Sequence, residues 1–377
     1  MSSNQMSSNQ TAADPKSLMR SIIQRIATGP QMSKDITLEE ARAGMAAILA
    51  QQVDPIQAGV FLIALRMKRE ADDELRGILD AVRDTTAPVV AAVDELVDIV
   101  DPYDGYNRCL PAAPFLPALL AECGVPAMTQ GAAAVGPKFG ITHRAVLAAA
   151  GVAVDLSPAD AAARLADPAL GWTYLDQRAF CPALHGLLDL RAGVVKRQAL
   201  TTVEGLTKPI VGRTKTHLVT GFVHTKYPRI YALLARHAGF DSGLLVRGVE
   251  GGVIPSLRQS GVCFNFQDGG TEQPFEIDPA VLDIDVGVRA VPLPDDLPQT
   301  IRPGDDEAMT LDTAAAAQAA AQAGMAALGG ERGPTYDSLV FTAALILWHL
   351  GREPSLAAAG GRVRAALSSG RAAQRVR

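Results

Sequence analysis

The stretch Ile36–Arg83, ITLEEARAGMAAILAQQVDPIQAGVFLIALRMKREADDELRGILDAVR, decides how this chain begins to fold. Thr37 precedes an apolar run and Glu40 follows it by three residues, the spacing of a capping box. Leu38, Ala41, Met45, Ile48 and Leu49 then recur on one helical face. Asp54-Pro55 opens a second helix, with Ile56, Val60, Phe61, Ala64 and Leu65 expected inward. A third starts at Asp72 and ends near Arg83. Nothing between Asp35 and Thr86 alternates as a strand does, so the chain opens with a helical unit.

The rest of the composition bounds the answer. A chain of 377 residues, 48% hydrophobic and 20% charged, is globular, too long for one simple core and far from wholesale disorder. Its net charge of −5 excludes a uniformly basic nucleic-acid binder but leaves room for a basic patch. Cys109, Cys123, Cys181 and Cys263 are far apart, with no CxxC, so they read as buried thiols of a cytoplasmic protein rather than a metal site. The longest apolar run, near Leu339–Leu350, is too short to span a bilayer. The duplicated MSSNQ at the start has no basic and apolar regions of a signal peptide, and residues 1–15 are expected to be a disordered tail.

The pattern changes at Leu96-Val97-Asp98-Ile99-Val100-Asp101, a buried strand closed by Pro102 and Gly105. A helix over 116–123, a short strand at 126–128, a Gly-rich loop and a helix over 142–150 follow. Strands at 217–222 and 243–246 flank a helix over 228–237, and the C-terminal helices run over 310–327 and 336–350. This alternation predicts a mostly parallel central sheet covered by helices. The expected organisation is two-domain, α and α/β. Residues 16–95 with about 184–207 make a small helical dimerisation domain, residues 96–183 with 208–355 a larger α/β domain, and 356–377 a basic C-terminal tail. The Pro-rich segment 291–303 reads as a surface crossing.

The opening stretch resembles the N-terminal helical domain of anthranilate phosphoribosyltransferase and its relatives, the phosphoribosyltransferases that share a fold with nucleoside phosphorylases (glycosyltransferase family 3). So do DLRAGVVKRQALTTVEGLTKP (189–209), GFVHTKYPRIYALLARHAGFDSGLLVRGVEG (221–251) and GERGPTYDSLVFTAALILWHLG (330–351). The resemblance implies a helical domain beside an α/β domain, dimerising through the helices. It also implies a GTGGD loop for the diphosphate, a KHGNRSVSSKSG loop for ribose and phosphate, and an Asp-Glu pair for magnesium. Here the first reads Asp101-Pro102-Tyr103-Asp104-Gly105, and the second, TQGAAAVGPKFG, keeps only Gly131, Lys138 and Gly140 of its polar and glycine positions. Val253 and Ile254 stand where the acids belong. These three departures resemble the YbiB-like branch, whose members bind nucleic acid without sequence preference. No catalytic residue and no cofactor is therefore assigned. A vestigial phosphoribosyl pocket is expected at Asp101, Gly105, Asn107, Gly131, Lys138 and Gly140. The alternative is a glycosyl or phosphoribosyl transferase with altered contacts to a small phosphorylated ligand, and magnesium belongs to that reading alone.

Charge is segregated in a way that suits a polyanion. Residues 191–240 hold nine Lys and Arg against Glu204, a balance of +8, whereas residues 268–312 hold twelve acids against Arg289 and Arg302, a balance of −10. The expected nucleic-acid contacts are Arg191, Lys196, Arg197, Lys208, Arg213, Lys215, Lys226 and Arg229, with Arg362 and Arg364 from a flexible basic arm. Partners are expected to be nucleic acid and a second copy of the chain, with no membrane. His143, His185 and His349 read as structural.

Overall fold

Four helices open the chain, each where its sequence supplies a start. In the computed structural model, which describes residues 14–29, 31–298 and 311–376, α1 spans Pro15–Ile26, α2 Leu38–Leu49, α3 Pro55–Lys68 and α4 Asp72–Asp84. Residues 1–13 of the expected tail lie outside the described residues. Pro15 is already the first residue of α1, and Asp14 caps it, its carboxylate accepting from the Ser17 N–H. The capping box before α2 is complete: the Thr37 hydroxyl accepts from Glu40 N–H, and Glu40 Oε2 accepts from Thr37 N–H at 3.0 Å. Glu74 is fully buried at the start of α4 and accepts from Ile36 N–H, Ala71 N–H and the Lys68 ammonium, which locks three segments together.

One helical face differs from the expectation. Phe61, Leu62 and Leu65 of α3 are fully buried, but Ile56 is 77% and Val60 36% exposed. Helix α3 is apolar on nearly every side, so periodicity alone could not say which face the core takes.

The second body is a seven-stranded sheet. Its strands are β1 Glu95–Val100, β2 Ala127–Gly131, β3 Trp172–Asp176, β4 Lys215–Phe222, β5 Ser242–Arg247, β6 Gly261–Gln267 and β7 Gln273–Ile277. They lie in the order β3-β2-β1-β4-β5-β6-β7, the first five parallel and the last two antiparallel. Sequence patterning missed β3, β6 and β7. Strand β3 is buried on both faces and so lacks the polar–apolar alternation that marks a half-exposed strand.

Side chains of β1 alternate between two cores. Leu96 and Val100 pack with the N-terminal helices, whereas Val97 and Ile99 pack with the helix Pro334–His349. Short helices over Leu188–Val194 and Ala199–Val203 return to α3 and α4. The C-terminal segment is no flexible arm. Leu356–Ser368 is a helix with Val363 and Leu367 buried, and Arg371 and Arg375 both clasp Glu122, at 2.6 and 2.9 Å. All four cysteines are free and buried, and no described helix is long and apolar enough to cross a membrane.

Asp98 points from β1 into the core without any exposure. Its Oδ2 accepts from Gln130 Nε2 at 2.8 Å, and its Oδ1 has no partner. Burial pushes its carboxyl up to about 7. The unfolded chain releases this proton near pH 4. Stability from this site is therefore present below about pH 4 and is lost as pH rises through about 7. Asp98→Asn should raise unfolding free energy relative to the parent at pH 8.5 more than at pH 5, measured by urea denaturation. An equal effect at both values would show that Asp98 stays ionised in the fold.

Candidate functional site

A cleft of about 940 Å³ opens at the carboxyl ends of β1 and β4. The strand order reverses between these neighbours, so their connections leave in opposite directions and a crevice remains. Arg66 of α3 reaches across it to the Tyr227 hydroxyl, joining the helical and α/β walls.

The loop after β1 starts with Asp101. Its carboxylate is buried and fully engaged: Oδ2 accepts from the Tyr106 hydroxyl at 2.5 Å and lies 2.8 Å from His143 Nε2, and Oδ1 accepts from Val253 N–H at 2.8 Å. Asp104, also buried, takes Nε and Nη2 of Arg197 at 2.9 and 2.7 Å. Gly105 has φ +77°, and a Cβ there would fall 2.6 Å from the Ile141 carbonyl oxygen and the Gly140 carbonyl carbon. Gly140 faces the same constraint in return, 2.6 Å from Tyr106 N. Thus Asp101, Asn107 and Lys138 line the cleft, Gly105 and Gly140 hold two loops back to back behind it, and Gly131 lies in β2 below.

Glu250 closes the loop from the other side. Its carboxylate accepts from Asn107 N–H at 3.2 Å and Arg108 N–H at 2.8 Å, and stands 2.6 Å from the Lys138 ammonium. Burial works against the charge on Glu250, but Lys138 and the two N–H groups hold its pKa below the usual carboxylate range. Val253 and Ile254, where the resemblance places magnesium ligands, are buried apolar side chains. Among the described residues no group of three or more His, Cys, Asp and Glu is arranged to hold a metal. The donor set does not fit the ion in the usual way.

The ten expected nucleic-acid contacts do not form one patch. Arg191 is fully buried, with both terminal guanidinium nitrogens on Glu204 at 2.6 and 2.9 Å, so it has no face for a polyanion. Lys208, Arg213 and Lys215 lie at the amino ends of the strands. The eight residues of β4 separate Lys215, and Arg213 just before it, from the cleft by about 25 Å. Lys208 binds the Gly239 carbonyl oxygen and sits over the Phe240 ring, and Lys215 pairs with Asp268. Arg362 and Arg364 bind the carbonyl oxygens of Cys123 and Leu282 on a packed helix. Arg229, near the cleft, is held by both oxygens of Asp72 at 2.8 Å. Lys196, Arg197 and Lys226 remain exposed on the cleft side of the molecule, Lys226 lying over the Tyr227 ring.

Charge counting missed three further residues. Arg108, Arg258 and Arg289 line the cleft, are exposed, and have no ion pair among the described residues. Arg289 falls inside the acidic window and Arg108 and Arg258 outside the basic one, so averaging along the chain concealed all three. The histidines are structural as expected where they can be read: His143 holds Asp101, and His349 Nε2 lies 2.9 Å from the buried Ser242 hydroxyl.

The cleft and its two walls have counterparts among known proteins. Residues 20–86 match the glycosyl transferase family, helical bundle domain. Over 359 residues the chain is 26% identical to the anthranilate phosphoribosyltransferase of Rhodopseudomonas palustris (strain BisA53), an alignment covering 95% of this chain and 96% of that one. Residues 20–86 are thus a helical bundle domain of the glycosyl transferase family, and the whole chain is similar to anthranilate phosphoribosyltransferases. A protein of Aquifex aeolicus (strain VF5) is 29% identical over 222 residues, 59% of this chain and 65% of that one. The shared fold extends along the whole molecule. Anthranilate phosphoribosyltransferase from Thermus thermophilus superposes with a TM-score of 0.71 at 20% identity, over 95% of this chain and 97% of that one. The Saccharomyces cerevisiae enzyme, solved in complex with PRPP and Mg, gives 0.73 at 13% identity over 96% of each.

The Arg191–Glu204 pair separates fold from function in this protein. Arg191→Ala leaves a buried carboxylate uncompensated and should cost about 3–5 kcal/mol in urea unfolding. A loss under about 1 kcal/mol would show that Arg191 is not the structural tie described here.

Proposed function

We propose that this protein is a cytoplasmic homodimer of the YbiB-like kind that binds nucleic acid without sequence preference across its inter-domain cleft. The observation that carries the reading is the charge balance of the cleft. Asp101, Asp104, Glu204 and Glu250 are each engaged by internal partners, whereas Arg108, Arg258 and Arg289 have no acid to neutralise them among the described residues. Excess positive charge therefore faces the solvent there, and phosphates that meet it release counterions irrespective of sequence. Stacking is a minor contribution, because Phe222 is buried and only Tyr227 and Tyr231, with ring centroids 5.6 Å apart, offer partial faces.

The dimer reading rests on α3. Ile56, Val60 and Met67 are spaced four and seven residues apart and exposed by 77, 36 and 74%, which makes an apolar stripe on the outside of the helical domain. A second copy of the same stripe would cover it around a two-fold axis. Changing Ile56 and Met67 to Asp together should convert the dimer to folded monomer in sedimentation velocity. An unchanged sedimentation coefficient would move the interface elsewhere.

A second reading has its own support. The cleft volume falls in the range of small-ligand sites, and the yeast relative was solved with PRPP and Mg. On that reading this chain takes a phosphorylated ribose with altered contacts.

The deciding measurement is fluorescence anisotropy with short single-stranded DNA of several sequences at graded salt. The first reading requires binding that falls about a thousandfold or more between 50 and 200 mM salt. Changing Arg108, Arg258 and Arg289 to Glu should weaken it and reduce the salt slope by about 2. The same reversal at Lys208, Arg213 and Lys215 should leave binding nearly unchanged, and the opposite pattern would move the site to the amino ends of the strands. No binding at low salt, together with heat on titrating millimolar PRPP and magnesium, would replace this reading with the second.

A further inference from the structure

We infer that His217, Ser242 and His349 form an acid-operated latch, in which one proton taken up by His217 releases the end of the helix Pro334–His349 from strand β6. The latch lies at the amino ends of the strands, away from the cleft, and rests on neither reading of the cleft.

The three buried side chains make one chain of hydrogen bonds. His217 of β4 and Ser242 of β5 are register neighbours, with His217 Nδ1 2.8 Å from the Ser242 hydroxyl. His349 Nε2 lies 2.9 Å from the same hydroxyl. Gln267 of β6 donates from Nε2 to the His349 carbonyl oxygen at 2.8 Å and faces His349 Nδ1 at 3.3 Å. A carbonyl oxygen only accepts, so this contact fixes which end of the Gln267 amide meets the ring. His349 Nδ1 is therefore an acceptor, and its Nε2–H donates to Ser242. The Ser242 hydroxyl then donates to His217 Nδ1. That leaves the His217 proton on Nε2, 3.6 Å from Glu95 Oε2.

An added proton reverses this polarity. On His217 it occupies Nδ1, so Ser242 meets two N–H donors and its own hydroxyl proton loses its acceptor. A change of tautomer at His349 would restore an acceptor to Ser242, but it sets Nδ1–H against the donor end of the Gln267 amide. Turning that amide would place its oxygen against the His349 carbonyl oxygen. The conflict therefore passes along the whole chain and is relieved where β6 and the helix end meet.

The surroundings make His217 the entry point. Burial holds His217 below the usual imidazole value near 6.5, and pushes His349 down to about 3. Glu95 of β1 and Asp241 of the turn before β5 draw a proton to His217, and Lys215 of its own strand opposes them. Glu95 is paired with Arg352 and Lys215 with Asp268, while Asp241 accepts from Thr216 N–H. The charged group facing His349 is His217 itself. The unfolded chain takes up these protons near pH 6.5, so the stability that the neutral chain of hydrogen bonds gives is complete above that value. It is lost as pH falls through the folded value of His217.

The test is NMR of the full chain labelled at histidine and glutamine, titrated from pH 7.5 to 4.5, with hydrogen exchange followed in parallel. At pH 7.5 both His217 and His349 should carry their proton on Nε2. As His217 titrates, the Gln267 side-chain signals should shift in the same step. Protection of residues 346–352, corrected for the intrinsic pH dependence of exchange, should fall about tenfold or more while far-UV circular dichroism stays constant. In Ser242→Ala, His217 should still titrate but the Gln267 signals should no longer follow it. A His349 proton on Nδ1, or unchanged Gln267 signals and protection across the His217 titration, would overturn the inference. So would global unfolding over the same range, because a latch opens locally. If Ser242→Ala fails to fold, the parent titration decides alone.

Discussion

A bare carboxylate at the end of a buried strand is costly, and the answer this protein gives at Asp101 organises everything around the cleft. Tyr106, His143 and the Val253 N–H each bind it, and they come from the loop after β1, the helix after β2 and the turn after β5. One side chain thereby fixes the relative positions of the segments that the fold uses to build a phosphate site. Gly105 and Gly140 press together because that arrangement leaves no room for a Cβ on either. An acid that would repel a phosphate if exposed serves as the internal tie of the rim.

The same accounting extends across the cleft. Buried charges must be paired with good geometry, and here Arg191 pairs with Glu204, Arg197 with Asp104, and Lys138 with Glu250. Most of the cations that look available in the sequence are engaged in this way. What is left for a ligand in the cleft lining is Arg108, Arg258 and Arg289, which come from separate loops, with Lys196 and Lys226 exposed on the same side. The apolar positions Val253 and Ile254 fit this arrangement, since the turn that carries them contributes a backbone donor to Asp101 rather than carboxylates to a metal. The fold shared with anthranilate phosphoribosyltransferases is retained, while the acids around the cleft are turned inward to partners within the protein.

Much of the fold was legible in advance because its signals are local. Thr37 with Glu40, and Asp54 with Pro55, announce helix starts through contacts within one turn. The run from Leu96 to Val100 reads as a buried strand from its apolar content alone. The errors arose where local signals are silent. The outward face of α3 could not be chosen because Ile56 and Val60 are as apolar as Phe61 and Leu65. The basic C-terminal segment looked like an arm because nothing near Arg371 and Arg375 in sequence reveals Glu122, about 250 residues away.

The sequence by itself determined the helical opening, the parallel α/β body and the likeness to anthranilate phosphoribosyltransferases, since each is written in neighbouring positions or in a motif. Only the tertiary structure decided which charges are free. A charge is neutralised by whatever the fold places within a few ångströms of it, and around the cleft those partners lie from thirteen residues away, as for Arg191 and Glu204, to more than a hundred, as for Lys138 and Glu250. Charge counted along the chain therefore located a basic segment, whereas charge balanced in space located the cleft.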